Sequence, residues 1–201
     1  GVSRSLVILS LLISSCVFFV SLTRGFWLIR ATEVIGLSSY QWGVVMLISG
    51  AINVSLSIPA GRLVDKYIKK WVAGITLILG ALPTFLFLKV TSFNQIIILA
   101  AVITMVNIFI NPAFQTLFAN MTPRRQRGRI MAFFGPGGLR LLQGAWGNGI
   151  VGMLTQTSGS FLSGYLYRVS ISLPWILLSA SMIVLGILFI ALVQEPEKAE
   201  F

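Results

Sequence analysis

Gly61-Arg62-Leu63-Val64-Asp65-Lys66-Tyr67-Ile68-Lys69-Lys70 packs four cations and one acid into ten residues. Beside this knot, charge stops: none falls within 34–61 or 71–88. Working outward, the charged residues divide the whole chain into six charge-free windows, 5–23, 34–61, 71–88, 90–123, 141–167 and 169–194. Each holds at least 18 residues. A helix rising about 1.5 Å per residue crosses the hydrocarbon core in roughly 20 residues. The windows therefore predict an all-α membrane protein. Its six transmembrane helices fall at about 5–29, 40–60, 71–89, 95–119, 148–167 and 173–193, in one bundle over 1–201. The apolar runs are continuous, which excludes the alternating pattern of a membrane β-barrel.

Composition agrees. Of 201 residues, 56% are hydrophobic and 10% charged, against roughly 25% charged in a soluble domain. Mean hydropathy is +0.92. The first window does not read as a cleaved signal, because Trp27, Leu28 and Ile29 stand where small residues are needed. A start at Gly1 without Met is expected of a piece of a longer chain. The single Cys16 excludes a disulfide framework.

The net charge of +10 raises the question of nucleic acid, and its distribution answers it. One side of the membrane receives Arg4, Arg62, Lys66, Lys69, Lys70, Arg124, Arg125, Arg127, Arg129, Arg140 and Lys198, eleven in all. The other receives Arg24, Arg30, Lys89 and Arg168, four in all. Positive loops stay inside, so both termini are expected in the cytoplasm of a multi-pass protein of the cell membrane. The partner for this charge is the anionic lipid surface of the bilayer, not nucleic acid. The long segment 121–147 is then a basic and Gly-rich cytoplasmic connection, with a short interfacial helix expected at 128–134.

The opening decapeptide also carries a family resemblance. Gly61, Asp65, Lys66, Tyr67, Lys69 and Lys70 match the signature loop of the major facilitator superfamily, with Ile68 standing where that loop usually has Gly. Pro123 with Arg127-Gly128-Arg129, and Gly159 with Gly164-Tyr165-Leu166, are similar to later parts of such a chain. The resemblance implies a six-helix half of a major-facilitator fold, a 3+3 inverted repeat, carrying a small solute by alternating access. A short charged tail after the last helix points to the C-terminal half. The other six-helix half is then a partner, in the same chain or another. The resemblance also implies a conformational gate of Gly61, Arg62, Asp65, Lys66, Lys69 and Lys70 with Arg127, Gly128 and Arg129. In it the Asp65 carboxylate meets the inner end of the fifth helix and Arg127 or Arg129. Lacking a Cβ, Gly61 is expected to let its helix approach a neighbour closely.

Polar residues deep in the windows mark where solute is handled. Asn107, Asn111 and Gln115 recur at i, i+4, i+8 on one helix face, with Thr104 beside them. Ser49, Asn53 and Ser57 do the same on another. Arg24 lies about one turn inside the outer boundary, and Gln156 and Ser160 lie in the fifth window. Each has a plainer role: amides and hydroxyls bond between helices for stability, and Arg24 can snorkel to headgroups. The resemblance ranks the fourth helix first, since it implies that helices 1 and 4 wall the cavity.

Catalysis is not expected. The chain has no His, one Cys, and all five acids outside the windows, so no catalytic residue, metal site or cofactor is assigned. The Gly-rich 135–149 lacks the endings of phosphate and dinucleotide loops. A six-helix membrane scaffold or assembly protein that transports nothing is the alternative.

Overall fold

Charge-free length becomes helix along most of the chain. The structure is a computed structural model and describes residues 4–135, 138–140, 144–146 and 149–194. The last expected features, Glu195, Pro196 and Lys198, lie outside the described residues, as do 136–137, 141–143 and 147–148 of the Gly-rich connection.

The elements in order are α1 (Arg4–Ser21), α2 (Phe26–Ile29), a π-helical turn (Arg30–Val34), α3 (Ser39–Lys66), α4 (Lys69–Leu86) and α5 (Phe93–Met121). A 3-10 turn (Arg124–Gln126) and α6 (Arg127–Phe134) follow. Next come strands β1 (Gly138–Arg140) and β2 (Gly144–Trp146), then α7 (Ile150–Val169) and α8 (Leu173–Leu192). The two strands pair antiparallel, Leu139 opposite Ala145. This small hairpin departs from an all-helical chain, in a stretch whose glycines suggested loop.

Sequence and structure differ at the ends of elements, for local reasons. The first helix is not one rod over 5–29. It breaks at Leu22–Gly25, where backbone bonds shorten to i→i−3, and resumes to Val34. Gly36, at φ 80°, then turns the chain. Ser38 starts α3 with a capping box: its hydroxyl accepts from Gln41 N at 3.2 Å, and Gln41 Oε1 accepts from Ser38 N at 2.9 Å. The helix then runs through Pro59 to Lys66, six residues past its expected end at 60. The charged decapeptide is therefore mostly helix.

Among the described residues, five segments are long and apolar enough to cross a membrane: Arg4–Val34, Ser39–Lys66, Lys69–Leu86, Phe93–Met121 and Leu173–Leu192. The sixth, α7, has the length, at 20 residues, but not the hydropathy. Its run Thr155-Gln156-Thr157-Ser158-Gly159-Ser160 is uncharged yet polar, a distinction that counting charges misses. The hydroxyls of Thr155, Thr157 and Ser158 each donate to a carbonyl one turn back, at 3.1, 2.9 and 2.8 Å.

Small residues set the packing. The most extensive contact is α4 on α8, followed by α4 and α3 on α5, then α1 on α7. A Cβ added at Gly74 would lie 2.8 Å from Gly186 O, and one at Gly186 would lie 2.7 Å from Gly74 O. The two glycines thus let the backbones of α4 and α8 touch. Gly159 does the same for α7 against α1, where a Cβ would lie 2.6 Å from Phe18 O. Cys16, 3% exposed, lies in the core with Leu12, Val17, Leu77 and Met182. Phe114 stacks on Phe189 with ring centroids 5.0 Å apart. By contrast α3 is mostly exposed, only 17% of its most apolar stretch being buried.

Candidate functional site

The two polar rows meet. With Asn53 and Ser57 on α3 and Asn107, Asn111 and Gln115 on α5, the helices enclose a cavity of about 280 Å³. Asn53 and Asn107 sit near the midpoints of helices 28 and 29 residues long, so the cavity begins at mid-length and extends toward their C-terminal ends. Asn111 Nδ2 donates to the Asn107 carbonyl at 2.9 Å, and the Ser57 hydroxyl donates to the Asn53 carbonyl. Asn107 is 5% exposed, and it and Asn111 have further interactions within the chain. The lining carries no charge, and its amides both donate and accept.

Sequence reading missed Pro112 in this wall. Proline has no N–H, so the helical bond to the Ile108 carbonyl cannot form, and Ile108 and Pro112 both line the cavity. A proline between Asn111 and Gln115 was the available signal. Thr104 and Ser49 are not in the lining. Thr104 donates to Ala100 O at 2.7 Å, while Ser49 is buried with its hydroxyl unpartnered.

The charged decapeptide spans a helix end, a turn and a helix start. Gly61, Arg62, Asp65 and Lys66 close α3, Tyr67 and Ile68 make the turn, and Lys69 and Lys70 open α4. Lys69 Nζ donates to the Asp65 carbonyl at 3.2 Å, placing a cation at the negative end of the α3 dipole. The Asp65 side chain is exposed and forms no ion pair among the described residues. The expected bridge to Arg127 or Arg129 is therefore not made in this conformation. Arg127 Nη2 instead donates to Ala119 O at 3.2 Å, in the last turn of α5, and Arg127, Gly128 and Arg129 are exposed on α6. Nor does Gly61 serve a close approach. A Cβ there would meet nothing within 4 Å, because α3 packs along α5 on another face.

The family model described as Major Facilitator Superfamily matches residues 11–200. The chain belongs to that superfamily. A search of curated proteins found no match. Members of this superfamily are membrane transporters rather than enzymes, sit in the lipid bilayer and bind small solutes, so this major facilitator is a multi-pass membrane protein of that kind.

Two arginines of this major facilitator part ways. Arg24 stands apart from the amide cavity, on the wall of a second one of about 460 Å³ between the α1 break and α7, with Ser160 but not Gln156. Arg30, counted with the outer-side cations, is buried at 7% exposure. Its Nη2 donates to Leu88 O at 2.9 Å. Its guanidinium carbon lies 5.6 Å from the Trp175 ring centre and 6.0 Å from that of Phe87. These are cation–π distances. Arg30 thereby ties the first span to the ends of α4 and α8. The sequence placed it by depth alone, and only the fold supplies its aromatic neighbours.

Proposed function

We propose that this chain is a six-helix half of a secondary active transporter. It carries a small solute across the cell membrane by alternating access, with six crossing helices in a 3+3 inverted repeat and both termini cytoplasmic. The amide cavity carries the reading. Two rows of polar side chains from different helices converge at mid-length on one space, and mid-membrane cavities are where transporters bind. Asn53, Asn107, Asn111 and Gln115 hold the solute in this proposal.

The sixth crossing is α7, whose hydroxyls bond to its own backbone and so tolerate lipid or a water-lined path. The second half covers the exposed faces of α3 and α7, where Leu47, Val54, Met153 and Phe161 lie open. Asp65, Arg127 and Arg129 act as an inner gate that closes in the opposite state. Gly61, Arg62, Gly128 and the lysines at 66, 69 and 70 shape that end of the molecule. An Asp65 without an ion pair among the described residues fits the released state.

The test is uptake into vesicles by the protein with its second half, using labelled sugars, organic acids and amines. Asn107→Leu and Asp65→Ala should each lower uptake at equal protein. Uptake that neither change alters would remove the cavity and the gate from the mechanism. No uptake of any solute would favour the scaffold.

A further inference from the structure

We infer that the amide cavity between α3 and α5 takes an uncharged, polyhydroxylated solute of monosaccharide size, a sugar or a sugar alcohol. This deepens the transporter reading and rests on it. Asn107 and Asn111 are already engaged within the chain, so Asn53, Ser57 and Gln115 carry the recognition. First, the wall has no charge to offer. The sequence carries none over 34–61 or 90–123, stretches that contain every lining residue. Arg62, the first cation beyond Ser57 on α3, stands about 140° round the helix from it at 3.6 residues per turn. An ion entering here would shed water and meet no counter-charge from this wall, which is costly. Second, among the described residues no aromatic ring lines the cavity, so flat aromatic solutes and organic cations find no face to stack on. Ile108 and Pro112 give it a small aliphatic surface instead, suited to C–H groups.

Third, the wall mixes donors and acceptors. The Ser57 hydroxyl hydrogen goes to the Asn53 carbonyl, with Asn53 Oδ1 3.4 Å away, so Ser57 Oγ remains as an acceptor. The Asn53 amide nitrogen has no partner among the described residues, and neither end of the Gln115 amide has one. Two amide nitrogens are thus left to donate, and Ser57 Oγ and Gln115 Oε1 to accept, among residues that line one cavity. A hydroxyl does both at once. A carboxylate only accepts and an ammonium only donates, so each would leave part of this wall unpaired, and unpaired polar groups in a closed site are penalised. At about 280 Å³ the cavity stands at the small end of ligand pockets, which run from roughly 300 to 1,000 Å³, and this sets the size of the solute.

Binding is measured without transport, so the two readings fail separately. The protein in phosphatidylcholine nanodiscs is melted while its tryptophan fluorescence is followed, with a series of six-carbon compounds. Glucose and sorbitol are the neutral polyols, gluconate the anion and glucamine the cation, and hexane-1,6-diol lacks the inner hydroxyls. All are used at millimolar concentration, below the range where polyols stabilise proteins by exclusion. Glucose or sorbitol is expected to raise Tm and the other three not to. Asn53→Leu and Gln115→Leu are each expected to weaken that response about three- to tenfold, the range for one neutral hydrogen bond. Ser158→Ala, at an exposed position of α7 that lines neither cavity, should leave it intact. A rise with gluconate, glucamine or hexane-1,6-diol as large as with the polyols overturns the inference. So does a polyol rise that survives both leucine variants, or no response to either polyol. If Asn53→Leu does not fold, Gln115→Leu, at an exposed position, and the ligand series on the native chain decide. Selective polyol binding without uptake in vesicles would sink the transport reading and leave this site standing. Uptake of a charged solute, lowered by Asn107→Leu and with no polyol binding, would do the reverse.

Discussion

Under the proposed function, Asn107 separates stability from transport at a single side chain. An amide between membrane helices is worth about 0.6 kcal/mol on average, so Asn107→Leu is expected to leave the unfolding midpoint in detergent within a degree or two while solute uptake falls. Arg30 should behave in the opposite way. Its buried bond to Leu88 O and its two aromatic neighbours predict that Arg30→Ala lowers stability by about 1.5–3 kcal/mol, read by chemical unfolding in detergent. Arg30→Lys should recover only part, because an ammonium lacks the planar, delocalised guanidinium that lies near both rings. These two residues show where sequence was legible. The asparagines could be grouped on one face from spacing alone, since i, i+4, i+8 fixes that face whatever surrounds it, and the family resemblance then ranked their helix first. Arg30 could not, because Phe87 and Trp175 reach it from 57 and 145 positions away along the chain, and no local pattern announces that.

Helix pairs are where the glycines are tested. Gly74 and Gly186 allow backbone contact between α4 and α8, with no room for a methyl group on either side. Gly186→Val is expected to cost about 1–3 kcal/mol, as overpacking does, while Gly164→Ala, with nothing within 4 Å of the new carbon, should be near neutral. Unfolding both variants in parallel checks the contrast. Ser38→Ala should cost about 1 kcal/mol by removing the capping box of α3, seen as faster amide exchange over its first turn. Helix positions were legible because charge-free length maps onto bilayer thickness. Helix ends were less so: the onset of charge at Arg62 suggested a stop near 60, yet α3 continues through Pro59 to Lys66. An exposed helix end leaves its cations in water, so nothing in them forces the helix to finish. The break at Leu22–Gly25 falls where Arg24 and Gly25 interrupt the first apolar run, a signal that an expected rod over 5–29 passed over.

For the molecule as a whole, charge asymmetry makes a sidedness prediction. A cysteine at Ser38 should react with a membrane-impermeant maleimide from outside intact cells, and one at Tyr67 only after the cells are opened. The gate was partly legible at this scale. Its residues were readable as a motif, but in the proposed transport cycle Asp65 meets Arg127 in only one of two arrangements, and a sequence does not distinguish them. The closing of that contact is expected to appear as distance shortening between probes at 65 and 127 when the partner half is present. One buried side chain makes such experiments simpler than usual. The native thiol at Cys16 is 3% exposed, among Phe19, Val20, Leu77, Leu178 and Met182, so a polar maleimide should find the unaltered chain silent. Reporter cysteines in this chain can then be introduced one at a time with Cys16 left in place.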